Sequence, residues 1–249
     1  MGRLLIVGIG PGCPEHITPA ARAALDQAQV LCGYTGYLRL IRDWYPDKEM
    51  LATPMTQELQ RCRAALELAA GGKTVAMVCS GDAGIYGMAG PILQLATEFP
   101  GVEIQVVPGI TAAVSGAAVL GAPLMNDFAV ISLSDLLTPW ETIARRLEYA
   151  ARGGFSIVLY NPGSRTRTDR LTRACDILLQ WRSGETVCAL VRSIGRDGEA
   201  KRLMTLEQLR GTPVDMVTTV FIGSPDTLEI DGWMVAPRGY ERKAKEAEA

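Results

Sequence analysis

Between residues 80 and 90 the chain sets four glycines around one carboxylate, Asp82, with no lysine or arginine among them. The stretch follows an apolar run at 74–79 and leads into a helical pattern at 91–96. That places it at the carboxyl end of a strand, where open α/β sheets bind ligands. Glycines let a backbone approach a ligand closely. A lone carboxylate suits a neutral or cationic small molecule with hydroxyls or an amine, whereas a phosphate would call for cations. The same residues also fit a plain connection in which Asp82 caps the following helix.

Other chemistry-bearing groups cluster after strand-like runs. The run 155–160 ends in Tyr160 and is followed by Asn161-Pro162-Gly163-Ser164 and then by Arg165, Arg167, Arg170 and Arg173. Another run, 186–191, ends beside Arg192 and Arg196. Arginine forks suit carboxylates, so these are candidates for carboxylate recognition as well as a solvated face. Tyr34 and Tyr37 flank a glycine turn and offer flat faces to a ring, or else are loop aromatics. Ser134, Asp135 and Tyr160 lie near predicted strand ends in the second half.

Two nucleotide motifs are approached and missed. Gly8-Ile9-Gly10-Pro11-Gly12 follows a strand at 3–7, but the third glycine of a dinucleotide loop would fall on Cys13. Pro11 removes an N–H where a pyrophosphate would need one. Gly72-Lys73-Thr74 resembles the end of a P-loop, yet its upstream glycine position is Glu67 and a strand follows.

The elements that must position these groups alternate strand with helix. Strands are predicted at 3–7, 28–32, 74–79, 102–107, 128–133, 155–160, 186–191 and 217–222, and a late hairpin at Asp231-Gly232. Thr18 and Pro19 open a helix as N-cap and first residue. Residues 56–70 form an amphipathic helix with Leu59, Cys62, Ala65, Leu66 and Ala69 inward. Thr138 and Glu141 predict a capping box, and 112–120 is a helix of small residues. The break at 121–126 divides a domain 1–122 from a domain 126–240. The fold class is α/β, with a parallel sheet first and a mixed sheet second.

Composition bounds the function. The chain has 249 residues, 48% of them hydrophobic, enough for one large domain or two ordinary ones. Its net charge of −2 gives no general field for nucleic acid or an anionic membrane. No run reaches the ~18 apolar residues of a membrane span, and the opening residues predict no signal peptide. Six cysteines without a Cys-x-x-Cys pair read as reduced thiols of a cytoplasmic protein. His16 is the single histidine and has no ligand-spaced neighbours, so no metal site is expected.

Taken together, Gly8-Ile9-Gly10-Pro11-Gly12, residues 80–86 and Pro108-Gly109-Ile110-Thr111-Ala112 resemble the tetrapyrrole methylases, from Leu4 to about Val235. Residues 33–38, 128–140 and 159–162 resemble the precorrin-3B C-17 methyltransferase subgroup. Gly163 departs from the basic residue expected there, and Arg165 and Arg167 are the nearby substitutes. The resemblance implies two α/β domains with the active site in the cleft between them, and a homodimer. It implies S-adenosylmethionine as cofactor, S-adenosylhomocysteine as product, and Pro11, Gly81, Asp82, Ile85, Thr111, Ala112 and Asn161 around the cofactor. It also implies methylation of precorrin-3B at C-17 with ring contraction to precorrin-4, in cobalamin synthesis; contraction needs proton transfers, for which Asp135, Ser134 and Tyr160 are the candidates. That substrate is a polycarboxylate, which gives Arg165, Arg167, Arg170, Arg192 and Arg196 their purpose and Tyr34 and Tyr37 a ring to face. The ordinary S-adenosylmethionine fold is disfavoured because the acidic residue normally ahead of its glycines is Val7 here. The alternatives are another precorrin or cobalt-precorrin methylase, a non-catalytic tetrapyrrole or nucleoside binder, and diphthamide-type protein methylation, against which the subgroup stretches argue.

Overall fold

The structure, a computed structural model, describes residues 2–164, 167–240 and 243, and divides into two compact units, 1–112 and 113–249. The first unit runs β1 (Arg3–Gly8), α1 (Pro19–Gln27), β2 (Val30–Tyr34), α2 (Thr35–Arg39), β3 (Glu49–Thr53), α3 (Glu58–Ala70), β4 (Thr74–Cys79), α4 (Ala89–Leu95) and β5 (Glu103–Val107). Its sheet is wholly parallel, in the order β3-β2-β4-β1-β5. Alternate residues of the central strands feed two cores. Leu5, Val7, Leu31, Ala76 and Val78 pack with α1 and α2 on one face, and Leu4, Ile6, Cys32, Val75 and Met77 with α3 and α4 on the other. A sheet covered on both faces needs such continuous apolar strands. Being parallel, it also collects the carboxyl ends of all its strands on one edge.

The second unit holds α5 (Ala112–Leu120), β6 (Gly121–Ala122), β7 (Phe128–Ser132), α6 (Trp140–Arg152), β8 (Ser156–Tyr160), α7 (Arg170–Leu178), β9 (Val187–Arg192), β10 (Ala200–Thr205), α8 (Leu206–Arg210), β11 (Thr218–Ile222), β12 (Leu228–Ile230) and β13 (Trp233–Val235). Its main sheet is mixed, in the order β10-β9-β11-β8-β7, with β7 and β8 parallel and the other pairs antiparallel. With β11 reversed between them, β8 and β9 run the same way, so β7, β8 and β9 end on one edge. Helices α6, α7 and α8 bury one face of this sheet. The hairpin β12–β13, with Asp231 and Gly232 both at positive φ, joins β6 in a small separate sheet.

Three sequence expectations change. The break expected at 121–126 falls after Ala112 by packing, because α5 belongs with the second sheet. A Cβ at Gly116 would lie 2.8 Å from the Phe221 ring and 2.9 Å from Ile194, so only a helix of small residues can lie there. The capping box at Thr138 and Glu141 does not form, because Pro139 itself takes the N-cap position of α6, without a side-chain cap. The capping box that does form joins Thr205 and Gln208 at the start of α8. On α3, Leu59 is exposed, while Arg61 is buried and bonds Thr53 and Pro54 beyond the helix.

Candidate active site

In the first unit the loops after β1, β4 and β5 meet at the carboxyl edge. The amide of Ile9 bonds the carbonyl of Cys79 at 2.9 Å. Gly10 and Gly81 exchange backbone hydrogen bonds of 3.1 and 2.7 Å. The packing is backbone against backbone: a Cβ at Gly109 would lie 2.1 Å from the Gly81 carbonyl oxygen, and one at Gly8 2.7 Å from the same atom. These glycines serve close approach between loops.

Asp82 fastens this arrangement. Its Oδ1 accepts the Gly84 amide at 2.8 Å and its Oδ2 accepts the Gly109 amide at 2.9 Å. The cap of α4 is Met88, without a side-chain bond, so Asp82 does not cap that helix. A carboxylate has about four lone-pair sites, so these two bonds leave acceptor capacity for a ligand. Beside it Ile85 and Tyr86 are exposed, and Tyr86 is held at φ 53. Pro11, Gly81 and Thr111 are buried and Ala112 is half-buried. The backbone of Thr111 and Ala112 lies 3.6 and 3.9 Å from where a Gly81 Cβ would be.

Tyr34, at the end of β2, shares this edge. Its ring meets that of Tyr37 edge-on, with centroids 5.1 Å apart, and lies against Gly36, where a Cβ would come within 2.5 Å of it. One carboxylate, backbone groups and an apolar rim fit S-adenosylmethionine, whose amine, ribose and sulfonium are neutral or cationic. They do not fit a phosphate.

In the second unit the shared edge of β7, β8 and β9 gathers the other group. Ser132 Oγ accepts Asn161 Nδ2 at 2.9 Å and the Ser134 amide at 3.2 Å. Asn161 sits at φ 53, a conformation that Asn tolerates better than most residues. The Leu133 amide bonds the Tyr160 carbonyl at 2.8 Å, and the Tyr160 hydroxyl accepts the Ala113 amide at 2.7 Å.

Asp135 pairs with Arg170 at 2.6 Å and Arg167 at 3.4 Å. Burial pushes its carboxyl up, but the hydrogen bonds from Arg170 and Arg167 and the charge of Arg170 outweigh that and hold it below the usual range. It is therefore an anion at neutral pH. Arg170 is further engaged by Asp169 at 2.9 Å and by the Trp140 ring at 5.4 Å, which also carries Arg173 at 4.1 Å. Among the described residues the Arg167 guanidinium makes longer bonds of 3.4 Å, to Asp135 and Ser164. Arg192 pairs with Asp215 at 2.9 Å across the strand ends, and Arg196 follows in the next turn. Arg165 lies outside the described residues.

Sequence reasoning missed Ser132 as a hub, because it reads as one more residue of a strand. It also missed the partner of Asp82, which is remote in sequence. Five of the six cysteines are buried, and burial raises Cys32 to about 12 and Cys62 and Cys79 to about 11, so these thiols stay protonated at neutral pH. Among the described residues no group of three or more His, Cys, Asp or Glu could hold a metal ion, and no helix is long and apolar enough to cross a membrane.

The chain is similar to known proteins. The chain is 46% identical over 238 residues to a protein of Salmonella typhimurium named probable cobalt-factor III C(17)-methyltransferase, covering 95% of this chain and 99% of that one. It is 40% identical to the precorrin-3B C(17)-methyltransferase of a Sinorhizobium species, covering 96% and 97%. The crystal structure of the methyltransferase CobJ superposes with a TM-score of 0.87 at 34% identity, covering 95% of this chain and all of that one. Residues 3–210 match the family of tetrapyrrole (corrin/porphyrin) methylases, and the chain belongs to that family.

Proposed function

We propose that this protein is an S-adenosylmethionine-dependent methyltransferase of cobalamin biosynthesis that methylates C-17 of precorrin-3B, with contraction of the macrocycle to precorrin-4. The observation that carries this is identity of 46% and 40%, over nearly the whole chain, to two C(17)-methyltransferases. The carboxylate-centred glycine loops are the chemistry such an enzyme needs.

S-adenosylmethionine supplies a methyl already activated on a sulfonium. The chain's residues bind, orient and exclude water, and alignment alone can lower such a barrier by ~7–11 kcal/mol. Asp82, Gly81, Thr111, Ala112, Pro11 and Ile85 form the cofactor's surround in the first unit. Asp82 has a second task, because it also fixes the loop that carries Thr111. On the substrate side Arg167 is less tightly engaged than Arg170, which is committed to two aspartates and braces it. Asp135, held ionised, orients both arginines and is a poor proton donor. Arg192 and Arg196 supply further positive charge on the same sheet edge. The working unit is a homodimer.

A second reading, cobalt-factor III as substrate, is favoured by the higher identity to the Salmonella relative. The metal would then belong to the substrate. The experiment supplies purified protein and S-adenosylmethionine with precorrin-3B or with cobalt-factor III, and reads S-adenosylhomocysteine and product mass. Turnover of precorrin-3B supports the first reading and turnover of cobalt-factor III alone the second. Failure with both overturns the proposal.

A further inference from the structure

We infer that Tyr160 is a positioning residue for the cofactor, acting through the first turn of α5, and that it is not the acid or base of ring contraction. The inference rests on the methyltransferase reading and assigns a new role within it. The Tyr160 hydroxyl accepts the Ala113 amide at 2.7 Å. That amide belongs to the first turn of α5, where backbone N–H groups have no partner within the helix. The two residues immediately before it are Ala112 and Thr111, whose backbone passes beside Gly81. Two residues further back, Gly109 is fixed by Asp82. The segment 109–113 is thus pinned at both ends, by a carboxylate at Gly109 and by a phenol at Ala113.

Tyr160 is itself a rigid anchor. Its carbonyl holds the Leu133 amide at the end of β7, and its strand lies between β7 and β11 in the sheet. It therefore ties the end of β8, which leads to Asn161 and the arginine segment, to the first turn of α5. Without the hydroxyl the first turn of α5 loses its side-chain acceptor, and Thr111 and Ala112, which lead directly into it, lose that anchor. The cofactor would bind less tightly, and the proton chemistry on the tetrapyrrole would be untouched.

The test compares wild type with Tyr160→Phe, using calorimetry with S-adenosylhomocysteine and steady-state kinetics with each substrate varied. One lost neutral hydrogen bond predicts a rise of about fivefold in the Kd for S-adenosylhomocysteine and the KM for S-adenosylmethionine. The kcat at saturating cofactor and the KM for the tetrapyrrole should stay within about twofold of wild type. Fluorotyrosine in place of Tyr160 keeps the ring's packing and acidifies the phenol. An acid or base role would shift the pH profile of kcat with it, and a positioning role leaves that profile in place. Unchanged cofactor affinity in folded Tyr160→Phe, a large kcat loss at unchanged affinity, a shifted pH profile, or a parallel rise in both KM values would each overturn the inference. Wild type that binds no S-adenosylhomocysteine would overturn the methyltransferase reading and this role together. Wild type that binds and turns over, with an unaltered Tyr160→Phe, overturns this role alone.

Discussion

The Gly109 amide donates a hydrogen bond of 2.9 Å to Oδ2 of Asp82, across 27 residues of sequence. With the Gly84 amide on Oδ1, this bond makes Asp82 the fastener of two loops as well as the charge of the proposed cofactor site. The carboxylate's remaining lone pairs are therefore aimed by the protein before any ligand arrives. Such preorganisation lowers the ordering cost of binding.

Replacing Asp82 should accordingly act twice. Each charge-assisted bond is worth ~1.5–3 kcal/mol. Asp82→Ala should weaken S-adenosylhomocysteine by roughly one to two decades and also lower the unfolding midpoint. Asp82→Asn keeps one carbonyl acceptor and should fall between the two. Calorimetry and thermal unfolding on the same samples read both effects, and unchanged affinity in either variant would remove Asp82 from the site.

Gly109 offers a sharper structural contrast. A methyl there would lie 2.1 Å from the Gly81 carbonyl oxygen, backbone against backbone. At Gly101 a Cβ meets nothing within 4 Å and only the positive φ of 94° opposes it. Gly109→Ala should cost ~3 kcal/mol or more through forced displacement, and Gly101→Ala only about 1 kcal/mol. Denaturant unfolding that ranked the two alike would contradict the loop packing.

Much of this was legible in the sequence. Thr18 and Pro19 open α1 as N-cap and first residue, with the Thr18 side chain accepting the Ala21 amide. The apolar runs at β1 and β4 declared themselves because both faces of a parallel sheet are buried. Strands β3 and β10 did not, because each carries charged or exposed residues of an edge strand. Pattern alone placed Leu59 inward. Arg61 is buried instead because its guanidinium finds acceptors at Thr53 and Pro54, which helical periodicity does not encode. The glycine loops were visible as motifs. Their use of Gly8 and Gly109 against each other, and of Asp82 against Gly109, depends on strands distant in sequence lying side by side. The small-residue helix α5 was legible too, but not its partner Phe221, so the division of the chain was placed ten residues late.

Asp135 predicts a pH dependence. Its folded carboxyl lies below the unfolded value of about 3.9. The stability it contributes is therefore fully present above that value and is lost as pH falls through the folded one. Asp135→Asn should lower stability at neutral pH and flatten the decline below about pH 4. Matching acid limbs for wild type and variant would show that the pair with Arg170 contributes nothing.

The arginines should separate by role. Arg167 is held by bonds of 3.4 Å, whereas Arg170 sits between Asp135 and Asp169 at 2.6 and 2.9 Å. Arg167→Ala should raise the KM for the tetrapyrrole about tenfold with little change in unfolding midpoint. Arg170→Ala should lower the midpoint as well. Added salt should raise the KM for the tetrapyrrole more than that for S-adenosylmethionine, because screening weakens the carboxylate contacts. Equal responses would contradict the assignment of these arginines to the substrate.

The central claim is the transfer of one methyl group to one ring carbon. The protein is incubated with S-adenosylmethionine carrying an isotope-labelled methyl and with precorrin-3B or cobalt-factor III, and the product is examined by nuclear magnetic resonance. The account predicts one label per product, attached at C-17 of the macrocycle and accompanied by one S-adenosylhomocysteine. Label at another ring carbon, or a product without label, would contradict it.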